Sequence, residues 1–425
     1  MAPALACLAL LSVALAQTVH VHDTGSLRAA VAQAKPGARI LIAPGDYQGL
    51  YIMDLHGTAI APIVVAGEDP SRPPRFLAPI QFQRVSNIEF RDFAITGASG
   101  NAIGIDDGGI RETPASHIVL ENLHIADVPG GGSNGIKMAG VDHFKIEKCA
   151  VERWGGCAVD LVGCHNGLIE GCRFEQGGGV GVQTKGGSSA VTVRGCDFID
   201  FGGRGVNIGG STGIPFFRPP LDKIPAGARY EAQDIDVEGC VFLRGGAPVS
   251  FTGVNGATVR FNTIIDPKPW AIRILQETAT PDFVPSRRGL FADNLIVFKS
   301  DSWSEGGVNI GPGTDPKSFR FVRNWWYCSD HPERSRPTLP TEEKDGVVGR
   351  DPQLDGTRVK PGSPASKFGA GGLKVGRAPV VDRLLRREMG ESLRHLWGRR
   401  RNDDPFSDLV WVGIACRLEP LAALT

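Results

Sequence analysis

Short β-type segments recur along this chain at a spacing near 23 residues, and that period restricts the fold more than any other feature. Each segment ends in Asn or Cys followed by a further strand-forming stretch. The marker positions are Asn122, Cys149, Cys172, Cys196, Cys240, Asn262, Asn294 and Asn324, at intervals of 27, 23, 24, 44, 22, 32 and 30 residues. A basic step with occasional extra residues is the pattern of a solenoid whose coils carry inserted loops. The chain has 56 glycines in 425 residues without a collagen period, which suits many tight turns rather than a helical bundle. The expected fold is all-β: a right-handed parallel β-helix.

A second set of strands keeps the same period. Its members are Ile136–Ala139, Val159–Val162, Val182–Lys185, Val206–Gly209, Val249–Thr252, Ile272–Leu275 and Val308–Gly311. A strand alternates its faces. One face collects Ile136, Met138, Val159, Leu161, Val182, Thr184, Val206, Ile208, Val249, Phe251, Ile272, Ile274, Val308 and Ile310. Thirteen of these fourteen are apolar, so this face is the interior. The Asn and Cys markers fit an inward turn, where amides bond up and down the stack and Cys fills the slot as a small buried residue. Cys149, Cys172, Cys196 and Cys240 are therefore expected as reduced core thiols. There is no CxxC pair to suggest zinc.

The ends depart from the repeat. Residues 1–16 are an apolar run closed by Ala14-Leu15-Ala16, the form of a signal peptide, although no Lys or Arg precedes the run. A secreted or periplasmic protein is expected. A short helix follows, with Ser26 as its cap, Leu27, Ala30, Val31 and Ala34 as its apolar side, and Pro36-Gly37 as its stop. It would cover the open edge of the first coil. The β-helix domain is placed at 17–375, with an inserted loop at about 211–233. Residues 376–425 do not resemble the repeat, although 381–401 have an amphipathic helical pattern. With 46 Lys+Arg against 46 Asp+Glu, nothing draws the chain towards nucleic acid. No stretch predicts a membrane span, and a monomer is expected.

The opposite, outward face of the second strand set is polar: Lys137, Asp160, Gln183 with Lys185, Asn207, Ser250 with Thr252, Arg273 and Asn309. Coils stack roughly 4.8 Å apart, so Arg273 should lie about three rungs, on the order of 14 Å, from Gln183. Any solvent-facing strand is polar, but cations on long stems beside amides and hydroxyls suit an acidic polysaccharide. The inserted loop leaves from this row and carries Arg218 and Glu231, and Gly209 is expected to leave a dent beside it. A uronic acid has an acidic proton next to its carboxyl group. Removing it needs a base and a cation on the carboxylate. Lys185 is the candidate base, and Arg273, Arg204 and Lys137 are candidate neutralisers. Asp160, Gln183, Asn207, Ser250, Arg218 and Glu231 complete the candidate binding set, and Asp160 reads equally well as the ion-pair partner of Lys185. Hydrolysis would want two facing carboxylates, for which the row offers only Asp160 and, on the loop, Glu231. Asp106-Asp107, at the upstream end of the row, could bind a cation but reads first as a turn with two solvated acids, and His143 and His165 read as structural.

Ser26–Gly37, Ile40–Tyr47, Gly57-Thr58 and Pro62-Ile63 together resemble the opening of the polysaccharide lyases that include chondroitinase B and alginate lyases, within the pectate-lyase-like superfamily. The likeness is clear over about residues 24–100 and coil-like to about 330, and its opening motif specifies fold better than activity. It implies a strand-borne Lys base with an Arg one coil later, often with a calcium ion held by acidic residues. Val182-Gln-Thr-Lys185 matches the Lys strand. The Arg position is Gly209, and the stretch before the Lys strand, Gly177–Gly181, has no acidic residue. The expected activity is β-elimination on a uronic-acid polysaccharide. The alternatives are a non-catalytic glycan-binding solenoid, or a glycoside hydrolase or epimerase on the same fold.

Overall fold

The computed structural model describes residues 17–372 except 279 and 281. The apolar run 1–16 with Cys7, and residues 376–425 with Cys416, lie outside the described residues.

Period and alternation produce what they predict. Three long sheets of 12, 10 and 12 strands wind around one core, and each turn of the chain, except at the two ends, adds one strand to each sheet. Within these sheets each strand pairs in parallel with its counterpart one coil on, as Ile136–Ala139 does with Cys157–Val162 and the latter with Val180–Lys185. The protein is a right-handed parallel β-helix. Of the fourteen residues assigned to the interior, all are buried except Ile310, which ends the last strand of its sheet and is 39% exposed. Inside, like side chains stack coil on coil. Phe174, Phe198 and Phe242 have centroids 4.9 and 4.7 Å apart, the offset spacing that aromatic pairs favour.

The corner column differs from its reading by one residue at its first member. Register places Leu123, not Asn122, in line with Cys149, Cys172, Cys196, Cys240, Asn262, Asn294 and Asn324. Asn122 stands one position earlier, where each coil bends through the left-handed region. Its φ is 53°, and the same corner is taken by Lys148 at 53°, Gly171 at 61°, Gly195 at 60° and Phe261 at 55°. A left-handed non-glycine residue costs on the order of 1–2 kcal/mol, which stacking has to offset. The four thiols are free and buried, as expected. The asparagines form a ladder. Asn262 Nδ2 donates to Asn294 Oδ1 and Asn294 Nδ2 to Asn324 Oδ1, both at 3.0 Å, and Asn324 Nδ2 ends on Glu343 Oε1 at 2.7 Å. Off the column, burial pushes the Cys164 thiol up to about 12, so it is inert at neutral pH.

The capping helix spans Thr24–Gln33, with Leu27 and Val31 buried. Its cap is Asp23 rather than Ser26. Asp23 Oδ1 accepts from Ser26 N at 2.8 Å, and Ser26 Oγ accepts from Asp23 N at 3.2 Å. Ser26 therefore sits three residues inside, as the partner in a capping box. No helix among the described residues is long and apolar enough to cross a membrane.

Candidate functional site

The ten-stranded sheet carries the polar outer row, and its register is the expected one. Lys137 pairs with Asp160, Asp160 with Gln183, Gln183 with Asn207, Asn207 with Ser250, Ser250 with Arg273 and Arg273 with Asn309. Two stretches of this row differ in their surroundings.

In the first stretch Asp160 is shared by two lysines. Its Oδ2 lies 3.4 Å from Lys137 Nζ and its Oδ1 3.4 Å from Lys185 Nζ, with the lysine side chains 40% and 20% exposed and the carboxylate 4% exposed. Oδ1 has no hydrogen bond of good geometry, so its link to Lys185 is ionic. Asp160 is the partner of Lys185 and is too deeply set to meet a ligand itself. Gln183 closes the group by accepting from the Cys157 thiol at 3.3 Å. Burial, followed by the nearby Asp160 carboxylate, pushes that thiol up to about 12, so it is no nucleophile.

In the second stretch the side chains point outward but do not meet water. Asn207 is 1% exposed, and Ser250 and Thr252 are 0% exposed. The expectation that Asn207 and Ser250 line an open surface is corrected: alternation fixes which face a residue takes, and loops decide whether that face is wet. Asn207 Oδ1 accepts from Thr252 Oγ1 at 2.8 Å and from Arg204 Nη1 at 2.9 Å. Arg204 also meets Glu277. The Ser250 hydroxyl has no partner. Gly209 leaves no dent either. Its φ is 94°, and a Cβ there would lie 1.8 Å from the Thr252 carbonyl oxygen, so the next coil already occupies that space.

Two loops border the row. The insertion after Gly209 forms two short turns, Ile214–Phe216 and Leu221–Lys223. It folds back along the strand ends to the Ile103–Asp106 coil. There the Arg218 guanidinium bonds Asp107 Oδ1 at 2.8 Å and Oδ2 as well. Arg218 is therefore a clamp rather than a ligand contact, and Asp107, 1% exposed, is not a solvated acid. Asp106 likewise accepts from Gln81 and Gln83. Glu231 is fully buried. Its carboxylate accepts from Gly186 N and Thr212 N at 2.9 Å, from Thr212 Oγ1 at 2.7 Å and from Thr278 Oγ1. It ties the insertion to a second loop, residues 276–285, and is unavailable to substrate. Phe217, Leu221 and Phe283 form a small apolar cluster between the two loops, and Arg229 pairs with Asp282 at 2.8 Å. The second loop and Glu277 were not singled out from the sequence, although the 32-residue interval that contains them exceeds the basic step. A cavity of about 430 Å³ beside this loop, lined among others by Gln276, Phe283 and Pro312, has no ionisable side chain among the described residues of its wall.

Beyond the roofed stretch, the Arg273 guanidinium stacks 4.6 Å from the Trp270 ring centroid, and its Nε donates to Asn309 at 3.1 Å. His165 bonds Ser189 and His143 stacks on His117, as structural residues do. The residues do not fit a resident calcium. Asp160 is surrounded by lysines, and among the described residues no three His, Cys, Asp or Glu side chains are gathered as ligands.

A family model described as "Right handed beta helix region" matches residues 78–218 and 108–286. No curated protein matches. Solved structures with a similar fold include an alginate lyase from Paenibacillus sp. str. FPU-7, at 16% identity over 70% of this chain and 97% of that one, TM-score 0.45. A family 6 polysaccharide lyase from Pseudopedobacter saltans is 12% identical over 83% and 99%, TM-score 0.46. The A-module of a mannuronan C-5 epimerase from Azotobacter vinelandii is 13% identical over 76% and 93%, TM-score 0.49.

Proposed function

We propose that this right-handed parallel β-helix acts outside the cytoplasm as a polysaccharide lyase, cleaving a uronic-acid-containing polysaccharide by β-elimination. The observation that carries the reading is the Lys137–Asp160–Lys185 group on adjacent coils, with Arg204 and Arg273 further along the same face. In this reading Lys185 removes the proton next to the sugar carboxyl group. Asp160 has Lys137 as a second counter-ion, so the low-exposure carboxylate does not depend on Lys185 alone. An Arg beside the substrate carboxylate disperses the charge that develops as the proton leaves. Electrons from the broken C–H bond then form the double bond that expels the glycosidic oxygen.

The hydrolase alternative loses both of its carboxylates, because Glu231 is sealed under the loops and Asp160 is set too deeply between its two lysines to reach a sugar. The test is a panel of alginate, chondroitin, dermatan and pectin, read by ultraviolet absorbance of the unsaturated product. Absorbance growth supports elimination. Reducing ends without absorbance would mean hydrolysis, and neither would mean a binding protein.

A further inference from the structure

We infer that Glu277 guards a uronate subsite built by Arg204 and Ser250, holding Arg204 without reaching Ser250, and that an acidic glycan binds there by displacing it. The inference rests on the polyuronate reading above and adds a subsite and a residue that guards it.

Arg204 begins its strand and is level with Ala247, whereas Leu275, two residues before Glu277, is level with Thr252, itself level with Gly209. The two side chains approach from opposite ends of three adjacent strands. Their ion pair therefore runs diagonally across the outer surface, over the rung of Asn207, Ser250 and Arg273. This accounts for the burial of Asn207 and Ser250 on a face that alternation turns outward.

The Ser250 hydroxyl beneath is fully buried with no hydrogen-bond partner. Buried hydroxyls are rarely left so. Arg204 bonds Asn207, the neighbour of Ser250 on the row, and a guanidinium and a hydroxyl are both donors that a carboxylate accepts from. Glu277 satisfies Arg204 from a loop and is 34% exposed, whereas Arg204 is 17% exposed. The side of the pair that a ligand reaches first is thus the acid. Exchanging Glu277 for a sugar carboxylate leaves the charge count unchanged and gives Ser250 an acceptor.

Glu277→Gln removes the competing charge and keeps the size. Titration calorimetry would use hexagalacturonate, hexamannuronate and neutral cellohexaose. The folded variant should bind an acidic hexamer roughly two- to fivefold more tightly than wild type, the scale of a partly exposed ion pair that no longer has to break. Cellohexaose should bind unchanged, and the gain should vanish when Arg204→Ala is added. If Glu277→Gln does not fold, Glu277→Asp, with a shorter reach to Arg204, should give a smaller gain of the same sign. An acidic hexamer bound no more tightly, or a gain that persists without Arg204, would overturn the inference. If wild type still binds and cleaves polyuronate in that case, only the displacement by substrate falls. If wild type neither binds nor cleaves any of them, the lyase reading falls with it.

Discussion

Between Lys137 and Lys185 the outer row meets solvent and ends in charge, whereas between Asn207 and Thr252 the same row, one to two coils on, is sealed. Both stretches are strands of one sheet with the same alternation, and both turn Val or Ile inward. What separates them lies outside the repeat. The first stretch is bordered by the insertion at its strand ends, yet its lysine side chains still reach solvent, whereas the second lies beside the Arg204–Glu277 pair and its loop. A solenoid thus sets the positions of its outer side chains coil by coil, while its insertions decide which of those positions a polymer can touch.

The strongest test of that contrast sets the inner face against both outer stretches. Phe251→Asp should cost more than about 4 kcal/mol, or prevent folding, because it buries an unpaired charge in the stacked core. Urea denaturation measures this, and a mild loss would mean the strand register is wrong. Glu231→Ala should cost about 3 kcal/mol, since it strands several buried donors at once. It should also speed amide exchange at Gly186 and Thr212, whose N–H groups Glu231 accepts, and leave the Lys137 strand protected. Uniform exchange along the sheet would mean that Glu231 does not anchor the insertion locally. Smallest is the comparison along the row itself. Ser250→Leu should cost about 1–3 kcal/mol by overpacking a sealed position. Lys137→Leu, in the open stretch, should stay within about 0.5 kcal/mol. Equal costs would erase the distinction between sealed and open positions.

Much of this was legible before any coordinates. The inner row could be read because a period of two inside a period near 23 leaves one assignment for each residue, and thirteen of fourteen proved buried. The corner column was harder at Asn122, since Asn suits both a left-handed bend and an inward slot and its neighbour Leu123 also fills the slot. The lysines and Asp160 could be placed because they stand on strands. Glu277, the clamping of Arg218 by Asp107 and the burial of Ser250 could not be, because they depend on contacts between loops and distant coils that follow no period. Gly209 misled because a missing side chain can mean room for a ligand or room for the next strand, and only the Thr252 carbonyl decides which.

The central claim is that the open stretch does chemistry through Lys185, and one measurement addresses it most directly. On a polyuronate that wild type cleaves, Lys185→Ala should lower turnover by about 10²–10⁴-fold, the range for losing a general base. The dissociation constant should change by less than about fivefold, because the base acts mainly in the transition state. Circular dichroism should show an intact β-helix, since the side chain is partly exposed and fills no core space. A folded Lys185→Ala protein that cleaves at the wild-type rate would contradict the account.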